Sequence, residues 1–250
     1  MGILIETSPN QSGPQNMQRD LDLFRDFEQG KIGPILRVYS WNPSCISLGY
    51  SQSVEKLLNL AAVKKLGWDI VKRPTGGGMV FHNTDEVTFS LILPYDYPGL
   101  PLGLMPSYKY LAQAIVGFLR ELGINADVSA NRHPKQFTRP SHAAAESREI
   151  KRQADLCFSY PADYEIVAAG KKIAGCAQKR GKKGFLQQGS IFVSRKDFTQ
   201  FKRFLIDSSA AGLESAVSID EIIGVVPDFK NLSESLVNNF RRMMVDYVVD

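Results

Sequence analysis

The sequence is poor in cysteine and histidine, with three residues of each type among 250. The cysteines, Cys45, Cys157 and Cys176, form neither a CxxC pair nor the Cys/His spacing of a zinc site. An odd number of cysteines without a secretory signal argues against a disulfide framework and against a structural metal site. We therefore predict no metal ligands, and one reactive thiol stays open as an alternative.

Long apolar runs are also missing, and neither sign of charge dominates. No segment reaches the ~20 apolar residues of a membrane span, and the N-terminus turns polar before a signal peptide could form. Lys plus Arg exceeds Asp plus Glu by 30 to 26, which is too little to indicate nucleic-acid binding without a concentrated basic face. We expect a cytoplasmic protein with no membrane or nucleic-acid partner, folded as a single domain over residues 1–250.

Apolar periodicity and turn residues predict short strands interleaved with helices. Helices are predicted at Asn16–Gln29, Val54–Leu66, Pro106–Leu122, Phe198–Ile206 and Leu232–Tyr247. Strands are predicted at Ile35–Trp41, Cys45–Tyr50, Asp69–Lys72, Met79–His82, Val87–Leu93, Ala126–Val128, Leu156–Phe158, Tyr164–Ala168, Ile173–Ala177 and Gln187–Val193. The turn formers at 42–44 predict that the first two strands form a hairpin. This mixture favours an α+β (mixed α/β) domain over an alternating βαβ fold.

The segment 129–154 loses the apolar pattern and carries six basic side chains against two acidic ones. Such a segment buries too little apolar surface to order itself, so we expect a mobile loop. Because it is long for a connector in a compact domain, it is interpreted either as a disordered insertion or as a cover over a site.

Three consecutive glycines, Gly76, Gly77 and Gly78, lie between two predicted strands. A backbone without Cβ atoms can press against a ligand and present N–H groups to an oxygen atom, although the spacing is not that of a P-loop. Glycines alone are more typical of a flexible hairpin turn. The neighbouring Arg73 and His82 favour a ligand site, with His82 in a supporting role.

Two further residues could carry chemistry. Cys157 lies where the basic loop meets a predicted strand, a setting that favours a thiolate, although a free cysteine is more often a small buried side chain. Cys45 and Cys176 lie within apolar strand patterns and are interpreted as buried. Lys172 opens a strand of small residues and can project into a pocket as a cation or base, or be solvated at the turn, as we expect for Lys171.

Two segments together resemble the lipoate/biotin protein ligase superfamily. Residues 72–82 read KRPTGGGMVFH, and residues 170–178, about 95 positions later, read GKKIAGCAQ. The resemblance runs from about Ile35 to Val193. It implies a class II biotin/lipoate ligase-like catalytic domain, with mixed, largely antiparallel sheets flanked by helices.

Details of these segments resemble the cysteine-dependent octanoyltransferase and lipoyl amidotransferase branch more than the ATP-dependent ligases. Asn83 stands where the ligases usually have aspartate, and a Cys-Phe pair lies about fifteen residues before Lys172. The resemblance implies that Cys157 is the nucleophile and Lys172 its catalytic partner. The substrate-binding residues that it implies are Arg73, Thr75, Gly76, Gly77, Gly78, His82, Gly175 and Ala177. One departure is Lys72, which stands where the family has an arginine.

The resemblance implies transfer of an octanoyl (or lipoyl) group from a carrier-protein thioester to a lysine of a lipoyl carrier domain, in lipoate assembly. The expected partners are acyl carrier protein and either glycine cleavage H protein or a 2-oxoacid dehydrogenase E2, and no cofactor is required. Because acyl carrier proteins are acidic, we expect the basic loop to help dock them. Two alternatives stay open: an ATP-dependent lipoate ligase that uses ATP and Mg and acts through lipoyl-AMP, and a non-catalytic acyl- or carrier-binding module.

Overall fold

The structure is a computed structural model that describes residues 2–129, 165–196, 198–206 and 215–245. Cys157, the predicted strand Leu156–Phe158 and nearly all of the predicted mobile loop lie outside these residues. The described strands are β1 Leu4–Gln11, β2 Ile35–Trp41, β3 Cys45–Leu48, β4 Asp69–Lys72, β5 Val80–His82, β6 Val87–Pro94, β7 Ala126–Val128, β8 Ile166–Ala168, β9 Lys171–Arg180 and β10 Gly184–Ile191. The described helices are α1 Gly13–Glu28, α2 Val54–Leu57, α3 Leu60–Lys65, α4 Leu104–Glu121, α5 Phe198–Phe204, α6 Ile219–Ile223 and α7 Phe229–Val245.

The strands form two sheets. The main sheet has seven strands in the order β1-β2-β6-β10-β9-β8-β7, and a small sheet has the order β4-β3-β5. Among the described strands of the main sheet, only β1 and β2 pair in parallel, whereas the other neighbours are antiparallel. The predicted α+β class with mixed, largely antiparallel sheets is confirmed.

Helices cover both faces of the main sheet. On one face, Phe118 of α4 and Phe240 of α7 join Phe89 of β6 in the largest apolar cluster. On the other face, Phe24 of α1 packs with Ile92 of β6 in a smaller cluster. Because side chains alternate along a strand, β6 supplies apolar residues to both helix layers.

The small sheet has its own apolar support. Phe81 of β5 stacks on Phe201 of α5 with ring centroids 4.1 Å apart, and Ile46 and Leu48 of β3 belong to the same cluster. A separate cluster joins Met17 of α1 to Trp41 of β2, Cys45 of β3 and Val71 of β4, which places the small sheet beside the α1 face of the main sheet.

Local signals explain where the helices start and stop. Ser12 and Gln15 form a capping box at the start of α1, with a proline in the first turn. Gly123 follows α4 with a φ of +78°, a conformation in which glycine carries no Cβ penalty. No helix in the described ranges is both long and apolar enough to cross a membrane.

Two local predictions are wrong. The strands β2 and β3 do not form a hairpin, because β2 pairs with β1 and β6 while β3 pairs with β4 and β5. The single helix predicted over Val54–Leu66 is interrupted at Leu58, which forms a bridge to Leu205, and Asn59 then caps α3. Strand β1 and helix α6 were not predicted.

Candidate active site

The candidate site is a pocket between α1, the face of the main sheet that α1 covers, and the small sheet. It is lined by Met17, Tyr39, Trp41, Ser47, Arg73, Val80, His82, Thr88, Gly175, Cys176, Ala177, Gln188, Gly189 and Ser190. Four predicted substrate-binding residues are among them, namely Arg73, His82, Gly175 and Ala177. Residues far apart in sequence therefore meet in one pocket.

A buried hydrogen-bonded chain runs along one wall of this pocket. The Nε2 atom of His82 lies 2.7 Å from Ser47 Oγ, and its Nδ1 atom lies 2.5 Å from Glu86 Oε1. Arg73 Nη1 donates to the same serine oxygen at 3.3 Å. Ser47 Oγ thus accepts from Arg73 and lies within hydrogen-bond distance of Nε2, so the His82 ring is held between a hydroxyl group and a carboxylate. The indole of Trp41 stacks on the imidazole at 4.0 Å.

Glu86 is the buried end of this chain and is only 1% exposed. Burial raises the pKa of Glu86 above its ordinary value, and the neighbouring His82 opposes part of that rise. Thr88 and Ser190 also donate their hydroxyls to Oε1, whereas Oε2 has no hydrogen-bond partner in the described part of the chain. Of these three residues, the sequence analysis indicated only His82. The contacts of His82 with Ser47 and Glu86 are seen only in the structure.

Arg73 shapes the glycine loop. Its Nη2 atom donates to the carbonyls of Gly76 at 2.7 Å and Gly78 at 2.6 Å. Gly77 has a φ of +88°, and a Cβ on Gly49 would lie 2.0 Å from the Gly77 carbonyl oxygen. Within the loop, position 77 therefore needs glycine for its backbone conformation, position 49 needs glycine for close packing against the loop, and Arg73 holds the loop conformation.

Thr75 connects the loop to the main sheet. Its hydroxyl donates to Gln188 Oε1 at 2.8 Å, and Gln188 Nε2 donates to Asp20 Oδ2 at 2.7 Å. The side chain of Asp20 also accepts from Arg37 at 2.9 Å and from Tyr39 at 3.0 Å. Burial, followed by the charge of Asp20, raises the pKa of Tyr39 well above its ordinary value.

The side chain of Asp20 is fully buried, although the neighbouring charged residues Arg19 and Asp22 suggest that it lies on the polar side of α1. A helical period of 3.6 residues puts Asp20 next to Met17 and Phe24, which are both buried. This spacing was the sequence signal that the Asp20 side chain is buried. A carboxylate within an apolar helix face indicates a buried polar partner in the tertiary structure.

Lys172 lies at the start of β9 and is only 1% exposed, which excludes the solvated-turn alternative for this side chain. Its Nζ atom donates to Glu165 Oε1, and its carbonyl accepts from the Val217 N–H at 2.9 Å. Lys171 is exposed, as predicted. Three residues along the same strand from Lys172, Gly175 lines the pocket.

The two remaining cysteines differ in their surroundings. Cys45 is fully buried in β3, as expected, and burial raises the pKa of its thiol well above the ordinary value. Cys176 is only partly buried and lies among the residues that line the pocket, so the prediction that it is buried is only partly correct. In the described ranges no cluster of three or more His, Cys, Asp or Glu side chains could hold a metal ion.

Comparison with known proteins covers most of the chain. A model of the lipoyl protein ligase A/B catalytic domain matches residues 12–241. Octanoyltransferase LipM of Moorella thermoacetica is 34% identical over 235 residues, which cover 91% of this chain and 81% of that protein.

Two solved structures share the fold. Lipoate-protein ligase A bound with ATP superposes with a TM-score of 0.71 at 21% identity and covers 97% of this chain and 85% of its own. A bi-partite lipoate protein ligase of Thermoplasma acidophilum, studied with its E2 lipoyl domain, has a TM-score of 0.64 at 19% identity and covers 97% and 84%. The resemblance inferred from the two sequence motifs is confirmed, and the chain belongs to the lipoyl protein ligase A/B catalytic-domain family.

Proposed function

We propose that the chain transfers an octanoyl group from an acyl carrier protein thioester to a lysine of a lipoyl carrier domain, through an acyl-Cys157 intermediate. The observation that carries this proposal is the buried position of Lys172, on the strand that lines the pocket. The similarity to an octanoyltransferase over 91% of the chain supports the choice of acyl group. A lipoyl group on the donor fits the same scheme.

In the first step, the Cys157 thiolate attacks the thioester carbonyl of the donor. A new C–S bond forms, the bond to the donor sulfur breaks, and the Lys172 ammonium gives its proton to the leaving thiolate. Backbone N–H groups of the glycine loop and the Lys172 ammonium are the candidate donors to the tetrahedral oxyanion.

In the second step, the acceptor amine attacks the acyl-Cys157 thioester. An amide bond forms, Cys157 leaves as the thiolate, and the amine proton moves to the now neutral Lys172. The carboxylate of Glu165, bonded to Nζ, keeps the lysine in place while its charge changes. Each cycle returns both residues to their starting protonation states, and the activated thioester makes ATP unnecessary.

The pocket supplies the recognition of the acyl chain. Met17, Trp41 and Val80 contribute apolar surface, and Gly175 and Ala177 leave room above β9. At ~0.8 kcal/mol per buried CH₂, a tail of about six methylenes contributes roughly 5 kcal/mol to binding.

Intact mass spectrometry without ATP tests the proposal. Wild-type protein mixed with octanoyl-loaded acyl carrier protein gains one octanoyl mass, which maps to Cys157 and is lost in Cys157→Ala. The matched control is Cys45→Ala, because that thiol is buried outside the pocket, and this variant still gains the mass. Acylation of another cysteine, or full activity of Cys157→Ala, contradicts the assignment.

The same assay separates the two alternatives. If turnover requires ATP and the free acid, the protein is a ligase that acts through an acyl-adenylate and not a transferase. Binding of the carriers with neither an acyl-enzyme nor a modified acceptor identifies a non-catalytic binding module.

A further inference from the structure

The turn between β9 and β10 concentrates positive charge. Residues 179–183 read KRGKK, with four cations in five positions. Arg180, Lys182 and Lys183 are exposed, and none of them forms an ion pair with any residue that the structure describes. The net charge of +4 is a sum over the whole sequence and does not reveal this local cluster of cations.

The backbone of this turn is held rigidly. The Glu28 carboxylate, at the end of α1, accepts the N–H groups of Lys182 at 2.8 Å, Lys183 at 3.0 Å and Gly184 at 3.2 Å. The Tyr95 hydroxyl donates to the Gly181 carbonyl at 2.9 Å. The Glu28 carboxylate thus binds backbone N–H groups and forms no ion pair with Lys182 or Lys183, so these two exposed lysines lie on a fixed loop, while the Arg180 guanidinium lies 4.5 Å from the Tyr95 ring centroid.

The turn also lies close to the pocket. Ala177 lines the pocket, and Arg180 follows three residues later on the same strand, about 10 Å away at ~3.3 Å per residue. Between them, Lys179 Nζ lies 5.7 Å from the ring centroid of the exposed Tyr50. The backbone N–H of Tyr50 donates to the carbonyl of Thr75, in the glycine loop.

We propose that this basic turn, residues 179–183, is the docking surface for the donor acyl carrier protein. The inference rests on the proposed function. The donor is acidic and carries its acyl group on an arm joined through a phosphodiester, so both its surface and its arm attract cations. The acceptor instead enters with a lysine amine, so the anionic arm is the feature of the donor that a cationic turn recognises. The short distance along β9 allows a docked carrier to deliver its arm to the pocket.

Charge reversal at the tip tests the proposal. Lys182→Glu/Lys183→Glu changes two exposed side chains and leaves their anchored backbone N–H groups in place. The matched control, Lys64→Glu/Lys65→Glu, makes the same change in charge at two exposed residues of α3. Each protein is assayed with octanoyl-loaded acyl carrier protein and with octanoyl-N-acetylcysteamine, a small thioester that has no carrier.

For the carrier substrate, kcat/KM of the turn variant falls at least about tenfold at low ionic strength. The loss shrinks as salt rises toward ~0.5 M, because screening weakens exposed charge pairs. With the small thioester the turn variant matches wild type, and the control variant keeps wild-type values with both substrates.

Other outcomes overturn the docking proposal. An equal loss with both thioesters indicates damage to the site, and unchanged kinetics with the carrier means that the turn does not bind it. If the turn variant loses affinity for the acceptor alone, the turn binds the acceptor. If a duplex oligonucleotide binds wild type tightly and outcompetes the carrier, the turn binds nucleic acid. If wild-type protein forms no acyl-enzyme with either thioester, the proposed function fails; direct binding of acyl carrier protein to wild type and both variants then tests the surface separately.

Discussion

Replacement of Asp20 by asparagine removes the carboxylate charge from the buried hydrogen-bond network that Asp20 forms with Arg37, Tyr39, Ser90 and Gln188. Oδ1 of Asp20 accepts from Arg37 and from Ser90, and Oδ2 accepts from Tyr39 and from Gln188, at distances between 2.7 and 3.0 Å. An asparagine keeps one oxygen and places an NH₂ group at the other position. Two of the four buried donors then face the NH₂ group, which cannot accept their hydrogen bonds. The buried Arg37 guanidinium also loses its nearest carboxylate.

The cost follows from this geometry. Breaking a buried ion pair by removing one partner costs about 3–5 kcal/mol. Arg37 keeps a second carboxylate, because Glu6 lies 3.1 Å from its Nε atom, so we expect the lower end, about 3 kcal/mol. For a domain of about this size, Tm falls by roughly 2–4 °C per kcal/mol, so the expected shift is about 6–12 °C.

Urea unfolding and thermal melting measure this effect. The matched control is Asp22→Asn, two residues along the same helix, where the carboxylate pairs with the exposed Arg25. Surface ion pairs contribute about 0–1 kcal/mol, so the control stays within about 1 kcal/mol of wild type. If Asp20→Asn lost no more stability than Asp22→Asn, the network would not support the pocket as described. We also expect a lower kcat/KM for Asp20→Asn below its Tm, because Gln188 links this carboxylate to the glycine loop through Thr75.

Three further predictions address catalysis, pH dependence and packing. Lys172→Ala is expected to form acyl-Cys157 more slowly, because the leaving thiolate loses its proton donor. The acyl-enzyme still accumulates, because a thiolate can leave unprotonated whereas the acceptor amine loses its base; rapid-quench mass spectrometry with and without acceptor detects this, and normal transfer contradicts the assigned role. Burial raises the pKa of Glu86 above its ordinary value, so the folded state holds this proton more tightly than the unfolded state. Wild type should therefore lose unfolding free energy relative to Glu86→Gln as pH rises from ~4 to 8, and a relative gain would refute the sign. Gly189→Ala places a Cβ 2.2 Å from the Phe89 ring, and we expect a loss of about 1–3 kcal/mol in urea unfolding; a neutral effect would show that the ring can move aside.

Most helices and strands were predictable from local patterns. Helix α4 shows the reason: its apolar spacing and the terminal Gly123 are contained within one segment, and the predicted and observed elements nearly coincide. The same holds for β4, predicted and found at Asp69–Lys72. Such elements depend on periodicity and on capping residues, which act over a few residues along the chain.

Strand pairing was less predictable, because it depends on contacts between distant residues. The strands β2 and β3 are adjacent in sequence and flank a turn signal, yet each finds partners in a different sheet. All residues of β2 are buried, so its pattern carries no alternation to indicate which neighbour it joins. A local turn signal cannot indicate which of two sheets a strand joins, because both sheets contain strands that are distant in sequence.

The sequence alone determined the family and the candidate chemistry of this protein. Two short motifs, residues 72–82 and 170–178, carry them, since glycine, arginine and lysine at fixed spacing can be recognised without coordinates. Only the tertiary structure showed that Ser47 and Glu86 flank His82, that Asp20 supports the pocket from α1, and that Lys172 is buried against Glu165. The physical reason is burial: a polar side chain withdrawn from water must find a partner, and that partner is supplied by whichever element the fold brings near.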